Sequence, residues 1–184
     1  MKGAIYYTRL REETQKGSLH HMAGEKLLGL ALRMEYGRDL AFEPRAKGEY
    51  GKPFFTLQPD IHYNISHSGK YVMCIFAGQP VGIDVQEHRS VRFEGILRRT
   101  VPEELAAEIL SADNVEQAFY REWVRREAYI KWTGQGLSED MRTLDMTLGC
   151  GQMLELENGY SGAVWSRSRL DLTFTEVPGA AELP

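Results

Sequence analysis

Three apolar, strand-length runs follow one another in this 184-residue chain with almost nothing between them: His62–Ser66, Tyr71–Ala77 and Pro80–Gln86. The connections, His67-Ser68-Gly69-Lys70 and Gly78-Gln79, are rich in turn formers and too short to hold a crossover helix. The spacing therefore predicts an antiparallel meander. Around it, residues 3–9 (GAIYYTR) predict a strand, and apolar Met22, Leu27, Leu28, Leu30, Ala31 and Met34 predict a helix from Ser18 to Tyr36, closed by Gly37. Gly24 and Gly29 within that helix point to close packing against another backbone. Residues 42–53 are loop-like. Helical patterns return at Phe93–Arg99, Pro102–Leu110 and, longest, Val115–Thr133, which stops before Gly134 and Gly136. The tail after Leu144 alternates apolar and polar residues and predicts strands. This order predicts an α+β fold of two similar α/β halves, 1–87 and 88–184, packed as one compact unit.

Composition narrows the class. With 42% hydrophobic and 26% charged residues, the chain is an ordinary globular sequence long enough to bury a core. No stretch approaches the roughly 20 apolar residues of a membrane span. The N-terminus turns charged at Arg9, Arg11, Glu12 and Glu13, unlike a secretory signal. Cys74 and Cys150 are far apart and match no metal-binding spacing, which favours two thiols in a reducing compartment over one disulfide. A cytoplasmic location is expected. The net charge of −4 argues against a general nucleic-acid binder.

Four segments carry chemistry. On the helix FYREWVRREAYIK, Trp123, Glu127 and Lys131 fall at i, i+4 and i+8 on one face. In VGIDVQ, Asp84 and Gln86 share one face of a strand while Ile83 and Val85 take the other, so two oxygen-bearing side chains are available to a hard cation such as Mg²⁺. The run Asn64-Ile65-Ser66-His67-Ser68-Gly69-Lys70 offers hydroxyls, an imidazole and a Gly-Lys turn to a phosphate. Gly51-Lys52-Pro53 is a second Gly-Lys turn. Each alone has an ordinary structural explanation. Together they are the equipment of phosphoryl-group transfer, which needs positioning, a divalent ion and cations on the oxygens that gain charge. Neither a Walker A sequence nor GxGxxG is present.

The runs EYGKP, YNISHSGKYV, VGIDVQ and FYREWVRREAYIKWTGQGL, spanning residues 49–137, resemble the 4′-phosphopantetheinyl transferases of the Sfp type. The resemblance implies a pseudo-twofold fold with the active site between the halves. It also implies transfer of the phosphopantetheine arm of coenzyme A to a serine hydroxyl of an apo acyl or peptidyl carrier protein, releasing adenosine 3′,5′-bisphosphate. By position it makes Asp84 and Glu127 ligands of Mg²⁺, or of Mn²⁺, with Gln86 a weaker third. Glu127, or a water it orients, also stands to take the serine proton. Lys131 and His67 bind pyrophosphate oxygens with Ser66 assisting, and Gly51, Lys52 and Pro53 line the adenine end.

The departures are specific. Many relatives have an acid where Gln86 stands, and a lysine at Arg126. The basic cluster that grips the 3′-phosphate is thin, with Lys16 and Lys26 as candidates. The final hydrophobic strand after Pro178-Gly179 looks absent. Arg89, Arg92, Arg98 and Arg99 against Glu94 form a local basic patch suited to an acidic carrier protein. A chain well beyond half-length subunits is expected to act as a monomer. The competing expectations are a non-catalytic binder of coenzyme A or carrier protein, and a different Mg²⁺-dependent enzyme acting on nucleotide phosphates.

Overall fold

The computed structural model describes residues 1–11, 17–136 and 140–182. Its strands are β1 (Lys2–Arg9), β2 (Arg45–Lys47), β3 (Pro53–Phe55), β4 (His62–Ser68), β5 (Tyr71–Ala77), β6 (Val81–Glu87), β7 (Cys150–Leu154), β8 (Tyr160–Ser166) and β9 (Asp171–Glu176). Its helices are α1 (Gly17–Tyr36), α2 (Phe93–Thr100), α3 (Glu103–Leu110) and α4 (Val115–Thr133). The fold is α+β, as expected. The two long helices are closed as the sequence signals: Gly37 at φ 65° and Gly134 at φ 75° take left-handed conformations, and the Asn114 side chain accepts from the Gln117 N–H at 3.0 Å to cap α4.

Strands β4-β5-β1-β9 form one sheet and β6-β8-β7 another, with β2-β3 a separate hairpin. Alternation builds the layers. On the first sheet, Ala4, Tyr6, Val72, Cys74 and Phe76 pack against Leu27, Leu28, Ala31 and Leu32 of α1. The alternate residues Ile5, Met73, Ile75 and Ala77 pack against Val81, Ile83, Val85 and Val164 of the second sheet. The far face of that sheet takes Val124, Ala128 and Tyr129 of α4 against Ala163 and Trp165. The order is helix, sheet, sheet, helix.

The expected three-strand meander is corrected. β4 and β5 pair as a hairpin, but β6 leaves them and pairs with β8, Asp84 opposite Ala163. Burying Val81, Ile83 and Val85 against Met73 and Ile75 requires β6 to lie across from β5, not beside it. β9 returns to the first sheet parallel to β1, Leu172 opposite Gly3, so the last strand of the C-terminal segment completes the N-terminal sheet.

The edge of β6 not paired with β8 is not left bare. The Asn64 side-chain oxygen accepts from the Ile83 N–H at 2.9 Å, and the Ser66 and Ser68 hydroxyls accept from Val85 at 3.2 Å and Glu87 at 3.0 Å. Each partner lies 19 residues ahead, so β4 runs parallel to β6 and its side-chain oxygens replace a backbone ladder.

Candidate active site

The chemistry-bearing residues converge where β4, β6 and α4 meet. Gly82 makes the approach of α4 to β6 feasible: a Cβ there would lie 2.1 Å from the Ala128 carbonyl oxygen and 2.4 Å from the Trp132 nitrogen. That contact sets the last turns of α4 on β6 and brings Lys131 to Asp84. The Lys131 ammonium donates to Asp84 Oδ1 at 2.7 Å and to the Ser66 hydroxyl at 3.0 Å, while Ser66 donates to the same carboxylate oxygen at 2.8 Å. Asp84 is 1% exposed and Ser66 4%. A buried carboxylate of this kind requires such partners. Gln86 completes the set, its amide N–H donating to Asp84 Oδ2 at 3.2 Å.

Glu127 sits one helical turn before Lys131 on the same face of α4, as its spacing predicts. Burial pushes its carboxyl above the usual range, the negative charge of Asp84 adds to this, and Lys131 opposes it. Two carboxylates from different elements, β6 and α4, thus lie near enough for the charge of one to act on the other. Among the described residues no cluster of three or more His, Cys, Asp or Glu side chains suits a metal ion. Two carboxylates with no third acid are nevertheless the donor set that Mg²⁺ accepts when substrate phosphates and waters fill its other positions. The residues fit such an ion.

His67 lies elsewhere in detail. Alternation turns it to the opposite side of β4 from Ser66, where its ring stacks on His20 of α1 with centroids 4.9 Å apart and an interplanar angle of 16°. His20 in turn donates to the Gly69 carbonyl at 2.7 Å. Partial burial pushes the His67 imidazole down, and the neighbouring His20 ring and Lys131 ammonium add to this.

Gly51 and Pro53 border a cleft of about 780 Å³ beside α1 that also holds His21, Arg45 and Lys47. Gly51 sits at φ 86° in the tight turn joining β2 and β3. Lys52 takes a different direction: its ammonium donates to the Val81 carbonyl at 3.0 Å and the Trp132 carbonyl at 3.1 Å, tying this hairpin to β6 and the end of α4. Burial pushes it down to about 8.

Lys26 donates to the Glu182 carbonyl, and Lys16 lies outside the described residues. Arg126 belongs to the interior. It is 4% exposed, donates to Glu122 at 2.8 Å and to the Met141 carbonyl, and fastens the 140–144 segment to α4. In the basic patch, Arg89 pairs with Glu87 and Arg98 with Glu94.

Asn64 and Ser68, which the sequence offers as part of a phosphate-binding run, bond to the β6 backbone instead, and Gly82, to which the sequence assigns no role, seats α4 on β6. Their signals were a glycine inside an apolar strand and the polar-every-second-residue pattern of N-I-S-H-S.

Comparison with known proteins places this geometry. The family model of the 4′-phosphopantetheinyl transferase superfamily matches residues 80–176, and the chain belongs to that superfamily. It is 34% identical over 144 residues to the 4′-phosphopantetheinyl transferase Sfp of Bacillus subtilis (strain 168), covering 76% of this chain and 64% of that protein. It is 37% identical over 141 residues to the 4′-phosphopantetheinyl transferase psf-1 of Bacillus pumilus, covering 72% and 60%. Over 87 residues it is 32% identical to enterobactin synthase component D of Escherichia coli (strain K12), covering 47% and 39%. The chain thus spans less than two thirds of the length of these relatives.

Proposed function

We propose that the chain is a 4′-phosphopantetheinyl transferase that moves the phosphopantetheine arm of coenzyme A onto a serine hydroxyl of an apo acyl or peptidyl carrier protein, releasing adenosine 3′,5′-bisphosphate. The observation that carries this reading is the convergence of Asp84, Ser66, Lys131 and Glu127 at the junction of β4, β6 and α4, in a chain of this superfamily.

The geometry supports the following division of labour. Asp84 and Glu127 would hold a divalent ion, Mg²⁺ or Mn²⁺. When bound, that ion neutralises charge on the pyrophosphate and polarises the bond that breaks. Lys131 and Ser66 supply donors to pyrophosphate oxygens from the same side as Asp84. Glu127, or a water it orients, would take the proton of the attacking serine. His67, on the α1 side of β4, and the cleft bordered by Gly51, Pro53, Arg45 and Lys47 would take the phosphate and adenine at the nucleotide end. The Lys52 hydrogen bonds support a role in holding that cleft's hairpin in place. Both carboxylates come from one chain, which supports action as a monomer. The substrate chemistry and the two free thiols support a cytoplasmic location.

Incubation with coenzyme A, Mg²⁺ and an apo carrier protein is expected to release adenosine 3′,5′-bisphosphate, read by chromatography, only when all three are present. Binding of coenzyme A without release would favour a non-catalytic binder.

The acidic surface of a carrier protein would meet residues 89–99. Two of that segment's four arginines are already paired with acids, which leaves Arg92 and Arg99 as its cations without a glutamate partner among the described residues. Charge reversal at Arg98 and Arg99 together is expected to raise KM for the carrier several-fold, while the coenzyme A affinity measured by calorimetry stays at the wild-type value. An unchanged KM would remove this segment from the docking surface.

A further inference from the structure

The hydroxyls that bridge β4 to β6 each accept a backbone N–H of β6 and give their own proton to a β6 side chain. Ser66 accepts from the Val85 N–H and gives its proton to Asp84 Oδ1 at 2.8 Å. Ser68 repeats the arrangement two residues on: it accepts from the Glu87 N–H at 3.0 Å and gives its proton to Gln86 Oε1 at 3.3 Å. Gln86 then donates to Asp84 Oδ2 at 3.2 Å. Chemistry sets the direction of this relay, because an ionised carboxylate only accepts. The amide must turn its NH₂ toward Asp84 and its oxygen toward Ser68.

We propose that Ser68, acting through Gln86, is a positioning residue for Asp84, and that Gln86 serves this chain as a brace on the carboxylate. The terminal torsion of an aspartate is broad, so hydrogen bonds decide the plane of its carboxylate. Ser66 and Lys131 both hold Oδ1; Gln86 alone among the described residues holds Oδ2. Ser68 orients the amide that does so. What Asp84 does for the reaction rests on the function proposed above; the brace itself is a property of β4 and β6.

The test uses the full chain with coenzyme A bound and Mn²⁺ as the probe, its binding followed by electron paramagnetic resonance, beside kcat and KM for carrier modification and the melting temperature. Ser68→Ala is expected to weaken Mn²⁺ binding about 3–10-fold, the scale of one hydrogen bond, and to lower kcat with little change in KM for the carrier. Ser68→Thr keeps the hydroxyl and is expected to restore both. Gln86→Met removes the brace while leaving the Ser68 bond to Glu87 intact, so it reports on Asp84 even if Ser68→Ala melts early. The double variant is expected to bind Mn²⁺ no more weakly than Gln86→Met alone, as members of one relay do. Wild-type binding in Ser68→Ala and Gln86→Met, or losses that multiply in the double variant, would overturn the brace. Asp84→Ala separates the two ideas. If it too binds Mn²⁺ like wild type, the role given to Asp84 fails. If it binds weakly while Ser68→Ala is unaffected, only the brace fails.

Discussion

Asp84→Ala is expected to lower carrier modification by about 10²–10³-fold, the usual cost of removing one preorganised electrostatic group from a water-poor site. The Asp84 side chain, 2% exposed, is the acceptor on which Ser66, Lys131 and Gln86 converge. Its loss removes one of the two carboxylates proposed to hold the divalent ion and frees the cation that would meet the pyrophosphate. The fold should outlast the change. The Lys131 side chain is 27% exposed, so its ammonium can turn to water instead of remaining a buried, uncompensated charge. The bonds from Asn64, Ser66 and Ser68 to the β6 backbone do not involve the Asp84 side chain. Steady-state modification rates set beside a thermal melt check this. A large rate loss with a near-normal melt is expected, and a rate within roughly threefold of wild type would remove Asp84 from the mechanism.

Gly82→Ala should be the most damaging single-methyl change in the site's framework. The new Cβ would meet the Ala128 carbonyl and the Trp132 nitrogen, which are backbone atoms of α4 and have no rotamer to escape into. Either the helix or the strand must move. Overpacking against backbone, at the upper end of the usual range, costs about 3 kcal/mol, which for a domain of this size lowers the melting temperature by about 6–12 °C. Displacing α4 also carries Lys131 and Glu127 away from Asp84, so activity should fall further than the melt alone would account for. Gly95→Ala is the control. It lies in α2 with nothing within 4 Å of its would-be Cβ, and should be neutral or slightly stabilising. Equal melts for the two variants would contradict the close packing of β6 on α4.

The placement of the candidate site's residues was legible because they sit at spacings with local meaning. Glu127 and Lys131 share a helical face through the 3.6-residue period, and Asp84 and Gln86 share a strand face through the two-residue period. Both placements depend on nothing beyond a few neighbours. What could not be read was where the strands go. A Gly78-Gln79-Pro80 turn serves equally for staying in a sheet and for crossing to another. The choice is made by β8, whose Ala163 lies opposite Asp84 and nearly eighty positions along the chain. The pairing of β9 with β1 spans almost the whole sequence and leaves no local mark. Lys52 shows the same limit at a single side chain. A lysine after a glycine resembles a phosphate ligand, but its acceptors here are the Val81 and Trp132 carbonyls, and backbone groups carry no signature in the sequence. The N-I-S-H-S alternation was visible, but its meaning was not. Its hydroxyls face another strand's N–H groups, and only the arrangement of the two sheets reveals that.

The intact mass of an apo carrier protein after incubation with this chain, coenzyme A and Mg²⁺ tests the central claim most directly. The account predicts a gain of one phosphopantetheine group on the acceptor serine, absent without Mg²⁺ and strongly reduced in both Asp84→Ala and Glu127→Ala. An unmodified carrier under conditions where the wild-type chain is folded and binds coenzyme A would contradict it, as would full modification by either carboxylate variant.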